Sequence, residues 1–229
     1  MKTAHARIVR PVIGVSTISR RTDRRSDVFI TFVDGVGRSG LQYARTYAKT
    51  NSVSAQRIIE PAMLGKRLVA AKEENPPKAI IIVDDVIGSG NTLSEGLARM
   101  LDYLAPQLIE LDIPVLIISL IGTEEGEKKV KATLDKYDVT HDLYLCEILS
   151  PTSYAFPVEG HSFWENDAQM HKAKALCLQV GSKIYKQPLG FKNQGLLLVL
   201  PETCPNNSLP ILYKAKVGVW TPLFPRPTT

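Results

Sequence analysis

The stretch Ala79-Ile80-Ile81-Ile82-Val83-Asp84-Asp85-Val86-Ile87-Gly88-Ser89-Gly90-Asn91-Thr92-Leu93 decides how this chain is read. An apolar run ends in two adjacent carboxylates, Asp84 and Asp85. A turn of small residues follows, and Thr92 opens a segment of helix formers. Adjacent carboxylates repel, and glycines at a helix start weaken it. A purely structural loop gains nothing from that combination. A sugar phosphate would use all of it. Ribose hydroxyls call for acceptors at the end of a strand, and a phosphate calls for N–H groups from a glycine turn at a helix start.

Outward from this stretch the pattern alternates. Residues 28–33, 55–59, 79–83, 114–121 and 143–149 are short β-branched or apolar runs that predict strands. Residues 41–49, 62–74, 92–104 and 124–136 between them predict helices. Pro106 is expected to end the third of these, and Pro61 suits the first turn of the second. Strand–helix alternation implies an α/β fold, a parallel sheet of about five strands with helices on both faces. Ligands of such sheets bind beyond the carboxyl ends of the strands. After Pro151 the pattern changes. Residues 168–184 predict a helix with Met170, Ala173, Cys177, Val180 and Ile184 as its core stripe, and residues 195–200 predict a last strand. The domain reading is a basic arm at 1–27, a core at 28–150 and a C-terminal cap at 151–229.

A second glycine loop follows the first expected strand. Gly35, Val36, Gly37, Arg38, Ser39 and Gly40 spell GxGxxG, and Glu60 closes the next expected strand. That is a dinucleotide fingerprint in its proper context, so an NAD(P)-binding oxidoreductase is a rival reading. Arg38 argues for pyrophosphate instead, because it offers bidentate charge-assisted bonds. A dinucleotide fold also gives no reason for Asp84-Asp85 and another anion loop.

The segment Asp84–Thr92 is similar to the signature of the type I phosphoribosyltransferases: four apolar residues, Asp-Asp or Glu-Asp, three residues, Thr-Gly, one residue, Thr. Ser89 stands where Thr is usual and keeps the hydroxyl. The tail adds a narrower resemblance. Pro188-Leu189-Gly190-Phe191, Cys204-Pro205-Asn206-Asn207-Ser208-Leu209-Pro210 and Trp220-Thr221-Pro222 resemble the phosphoribosyltransferase-like proteins of bacterial conflict and phage-defence systems. The resemblance runs from about Phe29 to Arg226.

The resemblance implies a substrate, phosphoribosyl pyrophosphate, and a cofactor, Mg²⁺. Asp84 and Asp85 would accept the ribose hydroxyls as the catalytic carboxylates. Val86, Ile87, Gly88, Ser89, Gly90, Asn91 and Thr92 would hold the 5-phosphate. The loop Gly35–Gly40 with Arg38 would hold pyrophosphate. Mg²⁺ would be carried mainly by substrate oxygens, with Asp84 and Asp85 as the protein groups able to contribute. The sugar's acceptor is not readable, and a non-catalytic sensor of phosphoribosyl nucleotides needs the same cradle. Asn206 and Asn207, a polar pair between two prolines, are either an acceptor site or the closure of a turn.

Composition bounds the rest. Three scattered cysteines suit a reducing, cytoplasmic compartment and no disulfide framework. No apolar run is long enough to span a membrane. The net charge of +5 is concentrated at the start: seven basic residues stand against Asp23 and Asp27 in residues 1–27. A nucleic-acid contact and a transit-peptide-like leader are both open for that arm, and a solvated, partly disordered leader is the expectation. A homodimer or a defence-complex partner is also open.

Overall fold

The computed structural model describes residues 1–14, 24–33, 39–72, 76–157, 163–201 and 204–226. The chain forms two compact units, Met1–Ile148 and Leu149–Thr229.

Unit one is built on a parallel sheet in the order β1-β2-β3-β4: β1 Phe29–Thr31, β2 Ile80–Ile87, β3 Val115–Gly122 and β4 His141–Ile148. The connecting helices are α1 Ser39–Thr50, α2 Leu64–Ala71, α3 Asn91–Glu110 and α4 Glu124–Leu134. Both faces of the sheet are covered, so its central strands read as continuous apolar runs rather than alternating ones. Side-chain alternation divides them between two cores. Ile80, Ile82, Val115 and Ile117 meet Leu64, Leu68, Leu97 and Leu101 on one face. Ile81, Val83, Leu116 and Ile118 meet Ala44, Tyr47 and Ala48 on the other.

The expected strand at 55–59 is not one. Ala55–Arg57 is a single 3-10 turn, and only a parallel bridge, Ile30↔Ile58, joins that segment to β1. The sheet therefore has four strands, with the 55–59 segment reduced to a marginal fifth. The helix expected to stop at Pro106 runs to Glu110. Its apolar stripe continues through Leu97, Leu101, Leu104 and Leu108, all buried, and that burial offsets the roughly 3 kcal/mol cost of an interior proline.

The larger correction is at the N-terminus, where the described part of the basic arm is not a solvated leader. Lys2–Ala4, His5–Val9 and Arg10–Ile13 run on as helix, and Ala4, Ile8, Val9 and Ile13 are buried in the second core. The middle piece is a π turn, closed by Arg10 N–H donating to the His5 carbonyl. Such a wide turn falls just before Pro11, which has no N–H to give. Lys2, Arg7 and Arg10 stay exposed on the outer side. Residues 15–23 of the arm lie outside the described residues.

His5 is 4% exposed and shares a 2.5 Å hydrogen bond between Nδ1 and the Tyr47 hydroxyl. Burial, then Arg25 and Arg10, lower its pKa from 6.5 to about 4, against a smaller opposing pull from Asp27. The unfolded chain therefore binds this proton near pH 6.5 and the folded one only near pH 4. His5 contributes stability that is complete above pH 6.5 and lost as pH falls towards 4, with a slope approaching ~1.4 kcal/mol per pH unit. Asp27, held low by its hydrogen bond and ion pair with Arg25, acts only below the ordinary carboxylate range. Urea midpoints measured from pH 7 to 4.5 should fall in the wild type and fall less in His5→Asn. Parallel curves would remove His5 as the cause.

Unit two holds α5 Asp167–Ile184, capped by Asn166, whose side chain accepts from Gln169 N–H at 2.9 Å. Its core is Ala155, Cys177, Leu189 and Leu209. The expected strand at 195–200 is reduced to bridges from Leu196 to Tyr154 and to Ser208. A short helix, α6 Pro210–Tyr213, follows, and Arg226 stacks 4.1 Å from the Tyr213 ring centroid.

Candidate functional site

Asp84 and Asp85 lie within β2, which continues past the expected end at Val83 to Ile87. β1 accompanies β2 only as far as Thr31↔Ile82, whereas β3 pairs along it to Ile87↔Gly122. The carboxylates thus occupy the part of β2 that projects beyond β1. Both are half-buried. Asp84 Oδ1 accepts from Asp85 N–H at 2.9 Å, and Asp85 Oδ1 accepts from Val86 N–H at 2.9 Å. Each carboxylate is oriented by the N–H of the residue that follows it. Ile82 and Ile87 join the same core although they stand an odd number of positions apart, five. Strict alternation is not kept through the acidic pair.

The loop after it is built from contacts that only glycine allows. Gly90 adopts a left-handed φ of 71° and opens α3 without any side-chain cap. The first N–H groups of a 20-residue helix are left for an anion. Ser89 is buried and Thr92 exposed. Two residues that sequence reasoning passed over brace this loop. Thr123 N–H donates to the Ile87 carbonyl at 3.0 Å, and its hydroxyl donates to the Gly88 carbonyl at 2.5 Å. The same hydroxyl caps α4 by accepting from Gly126 N–H at 3.0 Å. A Cβ on Gly126 would stand 2.3 Å from the Gly88 carbonyl oxygen, and one on Gly90 would stand 2.7 Å from the Gly126 oxygen. The sequence signal was there: Thr123 before three acidic residues is a helix cap. Its second task, holding the preceding loop, was not visible.

Gly126→Ala is therefore expected to displace Gly88–Gly90. Affinity for a phosphorylated ligand should fall about tenfold or more, with a destabilisation of roughly 1–3 kcal/mol. Calorimetry paired with a thermal melt checks this; unchanged affinity would show that the loop does not hold the ligand.

Of the first glycine loop, Gly35, Val36, Gly37 and Arg38 lie outside the described residues. Ser39 and Gly40 open α1, and a Cβ on Gly40 would meet Phe32 Cβ at 2.9 Å. That is the close helix–strand packing a third glycine serves. β1 and β2 are parallel neighbours, so their carboxyl ends point the same way. The chain passes from β1 to the Ile58 bridge and returns to β2, making β1/β2 the point where strand order reverses. Crevices at such points are where open α/β sheets bind ligands. Glu60, the acid of the dinucleotide reading, is exposed beyond a single bridge.

No group of three or more His, Cys, Asp or Glu able to hold a metal occurs among the described residues. Two half-buried carboxylates fit a Mg²⁺ that keeps most of its oxygens from ligand and water, not a caged ion. The cysteines are free, and Cys204 is buried with its thiol pushed up by burial, as is Cys177. Both behave as small buried thiols rather than nucleophiles. Asn207 is buried inside unit two, where its Nδ2 donates to Gln194 Oε1 at 2.7 Å; Asn206 is exposed.

A parallel sheet with an acidic pair at its central strand's carboxyl end, followed by a glycine turn at an uncapped helix start, defines a phosphoribosyltransferase-like protein. The chain belongs to the PRTase-CE family, whose profile matches residues 5–226. No curated protein matches the chain. The four-strand sheet with flanking helices agrees with that class.

Proposed function

We propose that unit one binds phosphoribosyl pyrophosphate with Mg²⁺ and transfers the phosphoribosyl group with release of pyrophosphate. The observation that carries this is the continuity from Asp84-Asp85 to the uncapped start of α3, braced by Thr123 and Gly126. Asp84 and Asp85 would accept the ribose hydroxyl hydrogens, and backbone N–H groups and hydroxyls from Ile87 to Thr92 would take the 5-phosphate. Gly35–Gly40, with Arg38, would take the leaving pyrophosphate. Bound Mg²⁺ would neutralise phosphate charge. As pyrophosphate leaves, the anomeric carbon becomes cationic, and fixed carboxylates near it lower that barrier without reorganising. The acceptor then attacks C1.

Incubation with phosphoribosyl pyrophosphate, Mg²⁺ and a nucleobase panel should release pyrophosphate. Binding without release would favour the sensor reading. A larger thermal shift with NAD or NADP than with phosphoribosyl pyrophosphate would restore the oxidoreductase. Within the acceptor proposal for the asparagine pair, Asn206 is the member a ligand can reach. Asn207→Ala should melt earlier, because a buried amide bond is lost, while Asn206→Ala should lower turnover alone. An Asn206→Ala enzyme with wild-type turnover would remove it from the site. A reducing, cytoplasmic setting rests on the three free cysteines. No described helix is long and apolar enough to cross a membrane. The exposed cations of the N-terminal helix keep a nucleic-acid contact in view, as the antiviral-defence reading keeps a partner or a second copy.

A further inference from the structure

Beside the cradle, unit one contains a cleft of about 440 Å³ that neither acidic residue lines. Its floor is Phe32, Val33, Met100 and Leu104. Lys66 from α2 and Arg99 from α3 stand on its walls, and Tyr103, 84% exposed, is at its rim. No carboxylate lines it, and neither cation makes an ion pair or hydrogen bond among the described residues. Glycines on both walls let side chains of the cleft pack close against the helices. Gly65 is inside α2, where glycine costs about 1 kcal/mol against alanine, and a Cβ there would press on Leu104 at 3.2 Å, closer than a side chain normally packs. Gly96, inside α3, lets Val33 approach to within 1.8 Å of where a Cβ would stand.

We infer that this cleft is a second ligand site, for a planar heterocycle carrying a phosphate or carboxylate. Its size is that of small-molecule sites, which are mostly apolar with a few placed polar groups. An apolar floor and an aromatic rim suit a flat ring. Two cations with no ion pair among the described residues suit an anion, and Arg99 suits a phosphate or carboxylate fork. Gly96 lies little more than a turn beyond the loop that ends at Thr92, so an occupant would sit beside that loop. The site does not depend on the cradle binding phosphoribosyl pyrophosphate.

The probe is adenosine 5′-monophosphate, titrated by calorimetry into Asp84→Asn/Asp85→Asn protein so that the ribose carboxylates do not hold it; the phosphate loop is intact there, and charge reversal at Lys66 and Arg99 tells the two sites apart. Adenosine and inorganic phosphate are the controls. The nucleotide should bind this protein, and both controls about tenfold or more weaker. Adding Lys66→Glu and Arg99→Glu should lower its affinity about tenfold at an unchanged melting temperature, since both side chains are exposed. Tyr103→Ala should weaken it several-fold. No binding to the Asp84→Asn/Asp85→Asn protein at millimolar nucleotide, or binding that charge reversal leaves intact, overturns the inference. Neither result bears on pyrophosphate release by the wild type, which tests the cradle separately.

Discussion

Asp84→Asn combined with Asp85→Asn is expected to abolish binding of phosphoribosyl pyrophosphate while leaving the fold intact. Hydrogen bonds to a charged acceptor contribute about 1.5–3 kcal/mol each. Losing two of them amounts to roughly 10²- to 10⁴-fold in affinity. The fold should survive because both side chains are half-buried where β2 outruns β1, and asparagine can still accept from the next N–H as each carboxylate does now. The measurement is a calorimetric titration with Mg²⁺ present, beside a circular-dichroism spectrum. A double mutant that binds like the wild type would disprove the ribose assignment.

Deletion of residues 1–14 is expected to unfold unit one. Burying a Val or Ile side chain contributes about 1.5–3 kcal/mol, and Ile8, Val9 and Ile13 are all buried. Their removal also strips cover from Ala44, Tyr47, Ile81 and Val83. Arg25 would lose its acceptors at the Ile13 and Gly14 carbonyls. The loss is comparable to the whole 5–15 kcal/mol stability of a typical domain. A solvated leader would predict the opposite, a deletion without thermal consequence. Thermal melts of the truncated and full chains separate the two; equal midpoints would return the arm to the status of a leader.

These two cases differ in how far the residues themselves announced the outcome. Asp84-Asp85 and the glycine turn are contiguous, and their meaning is local: an apolar run, two acids, a turn, a helix. The N-terminal helix is local too, since Ala4, Ile8, Val9 and Ile13 recur at helical spacing. Its signal was masked by the arginines around it and by Pro11, which argues against helix unless a π turn absorbs the missing N–H. Pro106 misled in the same way, because propensity is a weak prior once a stripe such as Leu101, Leu104 and Leu108 is buried on a sheet.

From sequence alone came the alternation of strand and helix, the parallel sheet covered on both faces, and the acidic pair and glycine turn proposed as the cradle. Each of these follows from patterns within a few residues, where backbone geometry limits what the chain can do. Tertiary structure alone decided what depends on distant pieces meeting. Whether residues 55–59 pair fully with β1 or touch it once is settled by register across the sheet edge. That Thr123 and Gly126 hold Gly88, some 35 residues away, is a matter of two backbones packing where no side chain fits. The cleft between Lys66 and Arg99 exists because two helices, each carrying a glycine, are set side by side by the sheet beneath them. No local pattern encodes that separation, since it is fixed by close packing of the whole core.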